Sequence, residues 1–425
     1  MNITELQQSY ASHPNVEGVC RLLKDNSVRH LYCGGLYASA ASLFSSVLVQ
    51  RATCPLVFIL GDMEEAGYFY HDLTQILGTE QVLFFPSSFR RAIKYGQKDA
   101  ANEILRTEVL SRLQKGEEGL CVVTYPDALA EKVVSRKELG DNTLKLHAGE
   151  RVDMNFVTDV LRSYGFEYVD YVYEPGQYAV RGSIIDVFSF SSEYPFRIDF
   201  FGDEVESVRT FEVETQLSKE KKESIVIVPD LSHSLEKKGS AGMVSFLDFL
   251  PSDSLLAMRD FLWLRERIQT VHDESLTPQA IAARESEENG AITLEGKLID
   301  GGEFTLRALD FRRMEFGNKP TGTPDATVSF HTTVQPIFHK NFDMVAESFR
   351  EYLSRHYTIY ICSDSLKQTD RIRAIFEDRG DNISFTAVER TLHEGFADDT
   401  LRICVFTDHQ LFDRCLLYTS PSPRD

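Results

Sequence analysis

A phosphate-binding loop needs the spacing G-x-x-x-x-G-K-[ST], and one stretch of this 425-residue chain approaches it. In such a loop the glycines let backbone amides wrap a phosphate, the lysine faces the β- and γ-phosphates, and the hydroxyl ligates Mg²⁺. After a short apolar segment the chain reads Gly35-Leu-Tyr-Ala-Ser-Ala40-Ala41-Ser42. The first glycine (Gly35) and the hydroxyl (Ser42) are in place, but Ala40 replaces the second glycine and Ala41 the lysine. The point charge that would face a triphosphate is gone, and two Cβ atoms intrude where the backbone must approach. No other G-K-[ST] exists, and no DExx box follows directly on an apolar strand, because Gly202 separates Asp203-Glu204 from theirs. The expectation is a degenerate site without a bound nucleotide, and no catalytic residues.

Other reactive chemistry is equally sparse. The eleven histidines form no H-x-x-x-H and no cluster with cysteine, so no metal is expected. There is no G-x-S-x-G nucleophile elbow. The seven cysteines are scattered singly, without C-x-x-C, which reads as reduced core thiols of a cytoplasmic protein. The start, MNITELQQSY, has neither the basic nor the apolar region of a secretory signal, and no apolar run is long enough to span a bilayer. The formal charge is −20. Phosphate neutralisation supplies most DNA affinity, so a chain this acidic is not expected to bind nucleic acid strongly by itself. The short basic clusters Arg90-Arg91…Lys94 and Lys219…Lys221-Lys222 read as solvated faces.

The elements that must position these residues fall into distinct patterns. Over the first 130 residues apolar strands alternate with helices: His30–Cys33, Leu56–Leu60, Val82–Phe85 and Leu120–Val123, with helices near 37–50, after Asp62, and at 99–114. Continuous apolar runs between helices predict a parallel sheet covered on both faces. The pattern then changes. A helix over about 153–165 precedes short strands at Phe166–Tyr173, Gly176–Val180, Ser183–Phe188, Phe196–Phe201 and Glu204–Phe211, with turn signals at Pro175-Gly176 and Gly202-Asp203. A charged stretch near 218–224 (SKEKKES) and an exposed loop at 318–325 (NKPTGTPD) follow. Beyond Pro336, helices at 341–354 and 366–378 alternate with strands at 358–362, 383–388 and 403–406. The expected divisions are an α/β body in two parts (1–148 and 216–335), an inserted α+β unit (149–215), a small α/β unit (336–414) and a patternless, artefactual tail (415–425).

Within the insert, residues 173–207 read YEPGQYAVRGSIIDVFSFSSEYPFRIDFFGDEVES. This resembles the block E-x-G-x-x-x-x-R-G-x-x-x-D-[ILV]-F…P-x-R-[ILV]-[DE]-F-F-x-D-E-[ILV]-[ED]-S shared by the repair protein UvrB and the N-terminal part of bacterial transcription-repair coupling factors (Mfd). The resemblance implies a degenerate helicase-like (RecA-like) parallel-sheet body with an inserted UvrB-type interaction domain and a small C-terminal α/β domain. It also implies a role in transcription-coupled nucleotide-excision repair, recruiting UvrA to stalled RNA polymerase. ATP and Mg, polymerase contacts and DNA translocation would belong to motor and polymerase-binding domains beyond this chain, which on this reading is no enzyme by itself. The alternative is a UvrB-type nucleotide- and DNA-binding helicase component, which the Ala40-Ala41 replacement disfavours.

By the same resemblance, the UvrA contacts fall on Arg181, Arg197 and Phe201. Arginine's planar fork suits carboxylates on a protein partner, and an adjacent aromatic adds apolar area. Residues 151–215 hold five arginines, no lysine and thirteen carboxylates, so this is no phosphate-binding face. A plainer explanation stands beside it. Arg181 and Arg197 lie among Asp186, Glu193 and Asp199, and cross-strand ion pairs alone could account for them. Phe200 and Phe201 point to opposite faces, so one of them must be buried.

Overall fold

The computed structural model describes residues 1–89, 99–231, 242–285, 294 and 296–413. The basic cluster at 90–94 and the tail at 415–425 lie outside them.

The body is built on a seven-stranded, wholly parallel sheet. Its order from edge to edge is Ala326–Ser329, His30–Gly34, Arg312–Gly317, Leu255–Arg259, Leu56–Ile59, Cys121–Thr124 and Val82–Phe85. All four residues of Leu56–Ile59, Val82–Phe85 and Cys121–Thr124 are buried, which is why these strands read as unbroken apolar runs. Helix Ser39–Arg51 is buried along eleven of its residues, and its Ala/Ser/Leu composition suits burial on every side. Helix Met63–Leu77 starts where Asp62 accepts the Glu65 amide at 2.8 Å, the cap its sequence implies.

The chain leaves the body along strand Leu144–His147 and re-enters along Ser224–Ile227, which pair antiparallel as a two-stranded ribbon. Between them lies the inserted unit, a six-stranded sheet in the order Ser218–Lys222, Glu204–Phe211, Phe196–Phe201, Ile184–Val187, Gln177–Arg181, Glu167–Tyr168. Neighbours run antiparallel except the last pair. Helix Met154–Ser163, capped by Asp153, lays Val157 and Leu161 against one sheet face. That face contributes Tyr178, Ile185, Val187, Ile198, Phe200, Val205 and Val208 to the core, in alternation broken only by the register shift between Val205 and Ser207. The same core draws in Leu144, Leu146, Ile225 and Ile227, so the packed unit reaches past 149–215 on both sides.

Two local expectations need correction. The charged stretch at 218–222, for which no element was expected, forms a strand; it lies at the sheet's edge, where lysines discourage pairing with other chains. The strand expected over Phe166–Tyr173 shrinks to Glu167–Tyr168, and Tyr171 and Tyr173 are exposed beyond it.

The small unit carries a five-stranded sheet, Thr332–Val334, Phe396–Asp398, Ile403–Thr407, Thr358–Ser363, Thr386–Glu389, parallel across its last three strands. Its first strand begins at 332, a few residues before 336. Cys362, Val388, Leu392, Phe396, Ile403 and Val405 pack into the body's own core, so body and small unit share one apolar interior. Among the described residues, no helix is long and apolar enough to cross a membrane.

Candidate functional site

Alternation sorts the inserted sheet into two faces. Opposite the core face, in register across neighbouring strands, stand Ala179, Asp186, Arg197 and Arg209 in one row, and Arg181, Ile184, Asp199 and Ser207 in the next. The arginines are fixed by carboxylates of the same face. Arg197 grips Asp186 with both fork nitrogens, Nε at 2.7 Å and Nη2 at 2.9 Å, and its Nη1 donates to the Gln216 carbonyl at 3.0 Å. Its guanidinium plane lies 4.5 Å above the Phe211 ring. Arg181 pairs with the second Asp186 oxygen and rests on the exposed Tyr171 ring at 4.9 Å. Arg209 pairs with Asp199. Asp186 is buried, so its charge is compensated by two arginines at once, the condition under which a buried carboxylate is tolerated. The hydrogen bonds to Asp186 also hold the Arg197 pKa above its ordinary value.

The three sequence-predicted residues share this face and differ in exposure. The Arg197 side chain is only 13% exposed and committed inward. The Arg181 side chain is 35% exposed, and its hydrogen bond to Asp186 uses Nη2. Phe200 enters the core, and Phe201, after a register shift between Asp199 and Phe200, is 79% exposed. Two-residue turns at Gly182-Ser183 and Gly202-Asp203, each glycine at φ +62°, close the sheet at the same end, where the Phe200 amide donates to Ser183 O. Arg181 and Phe201 therefore lie toward the same end of the face, on strands separated by Ile184–Val187, with Arg197 farther from that end. Sequence reasoning placed Asp186 only as a neighbour. It did not find Arg209 or Tyr171; the period-2 alternation would have put Arg209 on this face, whereas nothing in the pattern signals Tyr171.

The phosphate-loop remnant folds as strand His30–Gly34, a short loop, then helix Ser39–Arg51. Gly35 has a reason of its own to be glycine: at φ +78° a Cβ would lie 2.0 Å from the Phe330 carbonyl oxygen. Ala40 and Ala41 are buried in the helix, and Ser42 is turned inward, donating to Asp72 at 2.9 Å. Among the described residues, no group of three or more His, Cys, Asp or Glu could hold a metal ion, and the six cysteines carry free thiols.

Residues 144–233 match the family model described as the UvrB interaction domain. These bounds take in the insert and both strands of its ribbon. The chain is similar to transcription-repair-coupling factors. The factor of Escherichia coli (strain K12) is 29% identical over 46% of this chain and 17% of its own length. That of Bacillus subtilis (strain 168) is 21% identical over 89% of this chain and 38% of its own. That of Haemophilus influenzae is 29% identical over 49% of this chain and 18% of its own. The chain thus spans well under half the length of these curated relatives. The matched domain, the relatives covering most of the chain and the mixed α/β body with its large parallel sheet are consistent with the N-terminal part of such a factor, as the motif at 173–207 led us to expect.

Proposed function

We propose that this chain is a recruitment module of transcription-coupled repair, and that the outer face of its inserted sheet docks UvrA. The supporting observation is the exposure of both Arg181 and Phe201 toward the turn end of that face. A partly exposed guanidinium and an almost fully exposed phenyl ring lie toward the same end of one sheet face, inside a unit that matches the UvrB interaction domain. Large exposed aromatics beside arginine are the side chains that dominate protein interfaces. Arg197 acts from behind, sharing Asp186 with Arg181 and so limiting the orientations Arg181 can take. Such preorganisation lowers the entropy lost on docking.

In this reading the module performs no chemistry and holds no cofactor. It works in the cytoplasm by raising the local concentration of UvrA near a stalled polymerase, to which the longer factor is bound. Polymerase contacts, DNA translocation and the use of ATP and Mg belong to parts of that factor outside this chain. The test is the affinity of purified UvrA for the chain and for Arg181→Ala and Phe201→Ala. Each change should weaken binding by roughly thirtyfold or more, the scale of an interface hot spot. Undiminished binding in both variants would move the interface elsewhere.

A further inference from the structure

The seat that a nucleotide phosphate takes in an intact loop, at the start of the helix after the first strand, is filled here by the chain itself. Asp72, on helix Met63–Leu77 and 2% exposed, points its carboxylate at the start of helix Ser39–Arg51. One oxygen accepts Ser39 Oγ at 2.6 Å and Ser42 Oγ at 2.9 Å. The other accepts the backbone amide of His393 at 2.7 Å. His393 and its neighbour Glu394 belong to the small unit, in the loop that follows strand Thr386–Glu389. Ser39 and Glu394 exchange a reciprocal pair: the Ser39 amide donates to the Glu394 carbonyl at 3.2 Å, and the Glu394 amide to Ser39 Oγ at 3.0 Å. The His393 ring stacks on Tyr68 at 3.6 Å between centroids. The C-terminal ends of strands His30–Gly34 and Thr386–Glu389 are thus joined through the segments that follow them. A cleft of about 130 Å³ opens beside them, and its lining includes the acids Glu65, Asp72 and Glu394 with Arg259. Burial raises the Glu394 carboxyl pKa in this acidic setting.

We infer that the phosphate-loop remnant is an intramolecular docking socket, in which the Asp72 carboxylate takes the place of a bound phosphate and latches the small α/β unit onto the body. The helix meets the carboxylate through two serine hydroxyls, while its first amide, that of Ser39, donates to the Glu394 carbonyl of the same loop. One side chain then serves three donors from two elements, Ser39 and Ser42 on the body and the His393 amide on the small unit. The contact is local and polar, so its loss should release the 390–395 loop without dissolving the shared apolar core.

The test is amide hydrogen exchange on the whole chain, comparing the unmodified protein with Asp72→Ala and with the milder Ser42→Ala. The latch predicts that exchange over 386–396 speeds up at least about tenfold in Asp72→Ala and less in Ser42→Ala. Exchange in the inserted sheet at 177–187 should stay unchanged in both. Unaltered protection of 386–396 in a folded Asp72→Ala variant overturns the latch. Should that variant lose protection everywhere, Ser42→Ala decides alone: selective loosening of 386–396 supports the latch, and unchanged protection overturns it.

Discussion

Asp186 grips Arg197 with both carboxylate oxygens, at 2.7 and 2.9 Å, from the directly facing position on the next strand. The pair separates two roles that the sequence motif presents as equivalent. Arg197 holds the face together, whereas Arg181, on the same carboxylate, is partly exposed to a partner.

Stability should follow that division. Arg197→Ala leaves the buried Asp186 with Arg181 alone and should cost roughly 2–3 kcal/mol, less than a wholly unpaired buried charge. Arg181→Ala keeps the bidentate pair and should cost under about 1 kcal/mol, as partly exposed ion pairs do. Urea denaturation of the two variants measures both. Equal losses would mean that the two arginines share the load evenly.

Phe201 contributes nothing to the insert's core, which takes Phe200 instead. Phe201→Ser should therefore leave the unfolding free energy within about 0.5 kcal/mol of the parent. Phe200→Ser, on the other face, should destabilise by several kcal/mol, on the order of large-to-small core changes. Thermal unfolding of the two distinguishes an interface side chain from a core one.

Restoring the consensus of the phosphate loop should not restore nucleotide binding. In the double variant Ala40→Gly, Ala41→Lys the new lysine lies at the cavity that Asp72 also lines, so it has an ion-pair partner without any phosphate. A fluorescent ATP analogue titrated against the double variant should show no saturable binding. Micromolar binding there would mean that the alanines alone had closed the site.

Asp398 ties the N-terminal helix Ile3–Ala11 to the small sheet, accepting Tyr10 Oη at 2.8 Å and the amides of Thr400 and Leu401 at 2.9 and 3.0 Å. Burial pushes its carboxyl pKa up, but His13, the Leu401 amide and Tyr10 outweigh burial and hold it below the ordinary value. A depressed folded-state pKa stabilises the fold above the unfolded value, near ~3.9, and that contribution is lost as pH falls through the folded value. Acid unfolding followed by circular dichroism should show this loss below about pH 4. Asp398→Asn should be less stable at neutral pH and flatter over that acid range.

The body was legible in the sequence because its physics is local. Strands buried on both faces read as apolar runs such as Leu56–Ile59, and Asp62 and Asp153 sit where helix caps belong. The strand at 218–222 was hidden because an exposed edge strand has no buried face to impose a period of two. Of the candidate face, alternation showed that either Phe200 or Phe201 must be buried, and only the packed sheet showed which. The depth of Arg197 depends on Gln216 and Phe211, residues in other segments that no pattern links to it. Least legible was Asp72, thirty residues from Ser42 and more than three hundred from His393, three positions that only the fold brings together.

The most direct test of the account is the affinity of UvrA for this chain beside that for the double variant Arg181→Ala, Phe201→Ala, each first shown to be folded. The account predicts saturable binding to the parent chain and its near-complete loss in the variant, a weakening of at least about a hundredfold. Equal binding to both, or no binding to the folded parent, would contradict the assignment of this face as the docking surface.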